Sequence, residues 1–370
     1  MARLVMTVVA IAMSLLWAAK VEGAVTLPQP VKLEWHYYKV HNTCDDAEVY
    51  IRHQITNFWN QDKSITPKLV RLLYSDCFVT GCDASILLDG ENSEKTAAQN
   101  RGLGAFFIID KIKQVLEHYC PGVVSCADIL NLATRDALRL AGAPAYPVLT
   151  GRRDGMKSTR ESVDLPLPSI SFDQSLAYFK SKGLDLQDMV TLLGMTVSQV
   201  SWHGTSTYIS TLFFTIKIFS GGHSMGRTHC SYVEDRLYNY KNTGKQDPTM
   251  NSTIANQLRK LCPPRTKKGQ SDPLVFLNPK SGSGYRFTNS YYLRINTHEA
   301  VLGVDQQLLY GDTTTLELVN EFAAGFEDFR QAFALSMSRM GSINVLTGKE
   351  GEIRTTCNST NANNRVELSS

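Results

Sequence analysis

The sequence predicts a mainly α-helical globular fold. Apolar residues return every three or four positions in several separate stretches, and no long segment alternates apolar with polar residues. A composition 43% hydrophobic and 20% charged over 370 residues suits a chain with a full core. Leu318, Phe322, Phe326, Phe329, Phe333, Met337 and Met340 give one apolar face on a helix that Gly341 ends. Ile108, Ile112, Val115 and Tyr119 do the same ahead of Cys120. Ile129, Leu132, Ala133 and Leu140 make a third stripe, closed by Gly142 and Pro144. Thr66 before Pro67 predicts an N-cap with proline in the first helical position. Core packing is the expected use of every stripe.

The ends and the cysteines speak to compartment. Arg3 precedes an apolar run from Leu4 to Ala19, and Val21-Glu22-Gly23 places small residues before a cut at Ala24. This pattern predicts a secretory signal peptide over residues 1–23. A membrane anchor is the alternative, but the run is shorter than the roughly 20 residues a span requires. Asn251-Ser252-Thr253 and Asn358-Ser359-Thr360 are glycosylation acceptors that fit export. The eight cysteines suggest four bridges in an oxidising compartment, and spacing alone leaves their pairing open. Zinc is disfavoured, because no CxxC pair or neighbouring histidine has ligand spacing. A net charge of +3 gives no reason to expect nucleic acid or an anionic membrane as partner.

The stretch RLLYSDCFVTGCDASILLD, beginning at Arg71, carries the chemistry. On a helix begun at Pro67, Arg71 and Ser75 share a face and Asp76 projects about 100° away. Asp76, Val79, Gly81, Asp83 and Ser85 then offer two carboxylates, a hydroxyl and two backbone carbonyls. Such hard oxygen ligands suit Ca²⁺, and a polar turn stapled by Cys77 and Cys82 is an equal alternative.

This stretch resembles the distal-helix motif of the secretory plant (class III) haem peroxidases, which has histidine where this chain has Ser75. The similarity continues through SEKTAAQNRGLGAFFIIDKIK at 93–113, VSCADILNLATRDA at 124–137, GRRDG at 151–155, DLPLP at 164–168, GGHSMGRTHC at 221–230, DQQLL at 305–309 and MGSINVLTGKEGEIRTTC at 340–357. The resemblance implies a peroxidase domain over 24–370, with a distal lobe to about 165 and a proximal lobe over about 166–357. It implies about ten helices, haem b between the lobes and a monomer. The implied bridges are Cys44–Cys120, Cys77–Cys82, Cys126–Cys357 and Cys230–Cys262.

On the proximal side the resemblance makes His223 the axial iron ligand, with Asp305 holding its other ring nitrogen. Ser224, Asn278, Ser281 and Thr288 fall where the family has a second calcium site. Two expected carboxylates are missing there, so this site is expected to bind weakly or not at all. On the distal side Asp76, Val79, Gly81, Asp83 and Ser85, with Glu94 through water, match the family's first calcium site.

In the family a distal histidine takes a proton from peroxide and returns it to the leaving oxygen, beside an arginine that stabilises charge. Arg71 keeps the second role, and Asn100 keeps the place that orients the histidine. Ser75 is too weak a base for the first. Tyr74 replaces the usual Phe. None of the remaining His36, His41, His53, His118, His203, His229 and His298 lies in this helix. Ahead of His223, residues 195–221 interrupt an otherwise continuous motif and carry one formal charge, Lys217. A short intron read in frame explains them better than a functional loop, which would expose Leu212, Phe213, Phe214 and Ile218 to water.

Three functions compete. The first is secreted, extracellular or wall-bound oxidation of phenolic donors by hydrogen peroxide, with Pro166 at the family's donor-binding proline and turnover impaired by Ser75. The second is a non-catalytic haem- and calcium-binding protein of the same fold. The third is a disulfide-rich wall protein without cofactor.

Overall fold

The computed structural model describes residues 32–166, 170–193, 225–264, 272–278 and 284–363. The predicted signal segment, His223, Ser224, Ser281 and the interruption at 195–221 lie outside these residues. Eleven helices of five or more residues appear among them, and strand is confined to two short antiparallel pairs. Strand β1 (Glu34–Trp35) pairs with β2 (Leu149–Thr150), and β3 (Arg227–His229) with β4 (Leu274–Phe276). The prediction of a mainly helical fold therefore holds.

The first helices are α1 (Ala47–Gln61), α2 (Ile65–Cys77), α3 (Phe106–Tyr119) and α4 (Cys126–Leu140). Helix α4 is the centre of this group, packed by α1, α2 and α3. Every residue from Cys126 to Leu138 is buried, so its predicted stripe widens to the whole circumference. Ser125 caps its start by accepting from the Asp128 backbone N–H.

The start of α2 corrects the sequence reading. The helix begins at Ile65, two residues before Pro67. Thr66 does not cap it; its hydroxyl donates to the Ala137 carbonyl at 3.1 Å and ties α2 to α4. Pro67 remains within the first turn, where a missing N–H costs no intrahelical bond.

Helices α5 (Phe172–Ser181), α6 (Leu186–Leu193), α7 (Glu234–Tyr238), α8 (Ser252–Leu261), α9 (Ser290–Asn296), α10 (Thr313–Ala324) and α11 (Phe326–Met340) complete the set. Here α6 packs on α11 and α10, and α9 on α10. The single long helix expected over 318–340 is two helices broken at Gly325, whose backbone is extended. The apolar spacing passes through the break because Phe322, Phe329 and Phe333 enter one cluster with Tyr292 and Phe287. Periodicity reports which side is buried; it does not report continuity of the backbone.

Four disulfides join Cys44–Cys120, Cys77–Cys82, Cys126–Cys357 and Cys230–Cys262, the pairs that the resemblance implies. No helix among the described residues is long and apolar enough to cross a membrane.

Candidate functional site

Arg71 and Ser75 sit one turn apart on α2, and both are buried. The Arg71 guanidinium donates to the Gln99 carbonyl at 2.9 Å, and Gln99 in turn donates to the Val163 carbonyl at 3.3 Å. These two bonds link Arg71 to the segment that carries half-buried Pro166. No carboxylate pairs with Arg71 among the described residues, and burial lowers its pKa to about 10, leaving it cationic at neutral pH. Burial pushes the Tyr74 phenol up, with Asp164 adding to the effect. The Tyr74 ring lies 4.3 Å from that of Phe78.

Asn100 is buried, and its amide nitrogen donates to the Glu94 carbonyl at 2.9 Å. Its Oδ1 is buried and accepts no hydrogen bond. Among the described residues the Ser75 hydroxyl likewise has no hydrogen-bond partner, so an acceptor and a short hydroxyl remain on this side of the protein.

Three buried carboxylates, Asp76 at the end of α2 and Asp83 and Glu94 beyond it, influence one another here. Asp76 is fully buried and accepts from the backbone N–H groups of Ala84 at 3.0 Å and Ile86 at 3.4 Å. Asp83 accepts from the Ser85 N–H at 3.0 Å, and the Ser85 hydroxyl meets that of Thr80 at 3.1 Å. Both oxygens of buried Glu94 lack a hydrogen-bond donor. Desolvation, then mutual repulsion, raises Asp76 well above the carboxylate range. Asp83 is raised too, and Glu94 is pushed up to about 8, chiefly by burial. A cluster of buried acids that repel one another is stabilised by a cation. No group of three His, Cys, Asp or Glu side chains closes on one point among the described residues. A cation here would therefore draw on backbone carbonyls and hydroxyls as well as carboxylates.

The surroundings hold this loop in place, mostly through residues to which the sequence reading assigned no role. Gly155 N–H donates to the Asp83 carbonyl at 2.7 Å, and Arg354 donates to the Ala84 carbonyl at 2.8 Å. Gly81 has φ +139°, and a side chain there would collide with Asn344. From α5 and its end, Tyr178 donates to the Phe78 carbonyl at 3.0 Å and Lys182 to the Val79 carbonyl at 3.2 Å. None of these belongs to a periodic pattern; Gly81, Gly155, Asn344 and Arg354 sit in quoted motifs, while Tyr178 and Lys182 sit in none.

The GRRDG segment proves to be a structural joint. Asp154 accepts from the N–H groups of Cys126, Ala127 and Arg354, anchoring the start of α4 to the C-terminal segment. Arg152 pairs with buried Asp128 at 2.7 Å and donates to the Gly341 carbonyl.

On the other side Asp305 is buried and accepts from the Tyr291 hydroxyl at 2.9 Å. Asn278 donates to the Ser290 hydroxyl at 2.7 Å, and Thr288 shares that hydroxyl at 2.6 Å. The structure thus gathers Asn278 and Thr288 about Ser290 as a neutral group, while Ser224 and Ser281 lie outside the described residues.

A family model described as peroxidase matches residues 51–325. The chain is 65% identical over 353 residues to probable peroxidase 61 of Arabidopsis thaliana, covering 95% of this chain and 96% of that one. It is 59% identical over 357 residues to probable peroxidase 26 of the same plant, covering 96% and 98%. Peroxidase 60, also from Arabidopsis thaliana, is 38% identical over 320 residues, covering 86% and 87%.

Proposed function

The chain belongs to the plant secretory (class III) branch of the peroxidase family, and we propose that it is a secreted haem peroxidase in which Ser75 replaces the distal base. The activity proposed is oxidation of small phenolic donors by hydrogen peroxide, at a turnover limited by that replacement. The observation that carries the limit is the buried Asn100 Oδ1, an acceptor without a donor where the family orients a histidine.

The distal residues fit haem b, because a buried guanidinium without an acid partner suits an anionic oxygen ligand nearby. When bound, haem supplies the redox iron that the side chains cannot. His223 would hold its iron, and Asp305 would hold the other ring nitrogen of that histidine, sharing its carboxylate with Tyr291. Arg71 would stabilise negative charge on peroxide oxygen as the bond breaks. The proton has no comparable carrier, since a serine hydroxyl neither accepts nor returns one near neutral pH. Pro166, three residues beyond the Val163 carbonyl that Gln99 reaches, would border the donor's approach.

Calcium fits the first site on the same grounds. Asp76, Val79, Gly81, Asp83 and Ser85 would ligate it, with Glu94 through water, and the ion would neutralise carboxylates that otherwise repel. The neutral cluster of Asn278, Thr288 and Ser290 supports weak or no binding at the second site.

Ser75 and the unpaired Asn100 acceptor also favour a second reading, a haem- and calcium-binding protein without efficient turnover. Haem-loaded full chain mixed with peroxide and a phenolic donor separates the two. Peroxidase function predicts donor oxidation that needs both reagents and exceeds that of free haem. Oxidation no faster than free haem overturns it in favour of the second reading.

A further inference from the structure

Helix α2 carries an aromatic stripe that the peroxide site leaves unused. Arg71, Tyr74 and Phe78 stand at i, i+3 and i+7, so the stripe starts beside the buried guanidinium and runs to the end of the helix. The Tyr74 and Phe78 rings lie 4.3 Å apart, and the Phe78 ring stacks on that of Tyr178 in α5 at 6.0 Å and 25°. Tyr74 and Phe78 are buried, whereas Tyr178 is half-buried. Three π systems in contact thus join the Arg71 side of α2 to the surface.

The Tyr178 phenol is also placed to lose its proton. Its hydroxyl donates to the Phe78 carbonyl at 3.0 Å and to Asp164 Oδ1 at 3.2 Å, one O–H shared between two acceptors. Holding the loop after α2 needs only the first of these. The second leads to a carboxylate that is 58% exposed to water. Lys182 sets its ammonium 5.2 Å from the centre of the Tyr178 ring and 3.5 Å from Asp164. A cation at that distance opposes a positively charged ring, so an electron leaves most readily together with the proton.

We propose that Tyr178 is a second oxidation site, for phenolic donors carried on polymers too large to reach the haem. The proposal rests on the haem reading above. One electron passes from Tyr178 through Phe78 and Tyr74 to haem already oxidised by peroxide, and the phenolic proton moves to Asp164. The neutral tyrosyl radical then takes a hydrogen atom from the donor's O–H, which restores Tyr178 and leaves a phenoxyl radical on the donor. Asp164 releases its proton to water.

The test treats haem-loaded full chain with a peroxyacid, whose good leaving group lessens the need for a distal acid, while the haem spectrum is followed. A nitroso spin trap and peptide mass spectrometry locate the protein radical in the absence of donor. The adduct is expected on Tyr178, and Asp164→Asn should slow its formation by at least about tenfold by removing the proton acceptor. With donors present, Tyr178→Phe should lower the rate on dextran-tethered guaiacol, relative to free guaiacol, by at least about fivefold. Oxidised haem with adducts only elsewhere, as on the exposed Tyr119 or Tyr310, overturns the proposal and leaves the haem reading standing. So does an adduct that forms as fast in Asp164→Asn, or a donor ratio that Tyr178→Phe leaves unchanged. A haem spectrum that the peroxyacid does not alter overturns the proposal and the haem reading together.

Discussion

Ser75, Asn100 and Glu94 are single side chains whose surroundings decide the chemistry. Removing a general acid–base typically costs about 10²- to 10⁴-fold in rate, so the hydroxyl of Ser75 should contribute little by itself. Ser75→Ala is therefore expected to leave phenol oxidation within about twofold of the native rate; a much larger loss would mean that the hydroxyl carries a proton after all. Glu94 gives a pH dependence of defined sign. Its carboxyl is raised from 4.5 to about 8 in the folded chain, chiefly by burial, so the fold retains a proton that the unfolded chain releases. That stabilisation is complete below pH 4.5 and is lost as pH rises through about 8. In chelator, the melting temperature should fall across this window, and saturating calcium should flatten or reverse the fall. A chelated protein whose melting temperature climbs steadily over the same range contradicts the assignment of these acids to a cation site.

At the scale of elements, much was legible in the sequence. Three-and-four spacing located α3, α4 and the C-terminal helices, because burying one side of a helix leaves that signature whatever the fold. It could not reveal the break at Gly325, since both helices present their rings to the same cluster. Nor could it show that Thr66 bonds to Ala137, because that partner is supplied by another helix. The candidate site divides the same way. Arg71, Ser75 and Asp76 lie within six residues and are readable, while Arg354, Gly155, Tyr178 and Lys182 reach the loop after α2 from distant segments. Bridges differ in value for a related reason. Cys126–Cys357 spans 231 residues and Cys77–Cys82 only 5. Loop-closure entropy gives about 5 kcal/mol for the first and about 2 kcal/mol for the second. Denaturant unfolding of the paired Cys→Ala variants should rank them in that order; the opposite ranking would place local strain or contacts above chain entropy.

For the molecule as a whole, the proposed function separates a scaffold that would hold haem and calcium from the turnover that Ser75 would limit. The buried Arg71, the acidic cluster around Asp76 and the buried Asp305 are all present, and on the proposed reading Ser75 is the position that lacks a proton carrier. Metal analysis of purified protein should find about one calcium per chain, because the second cluster offers hydroxyls and an amide in place of carboxylates. Two ions per chain would show that neutral ligands suffice there. The most direct test of the account is the rapid-mixing rate of haem-loaded protein with hydrogen peroxide, native against Ser75→His. Restoring the base beside Arg71 and the waiting Asn100 acceptor is predicted to raise that rate by at least about tenfold. Equal rates would contradict the claim that Ser75 limits the enzyme.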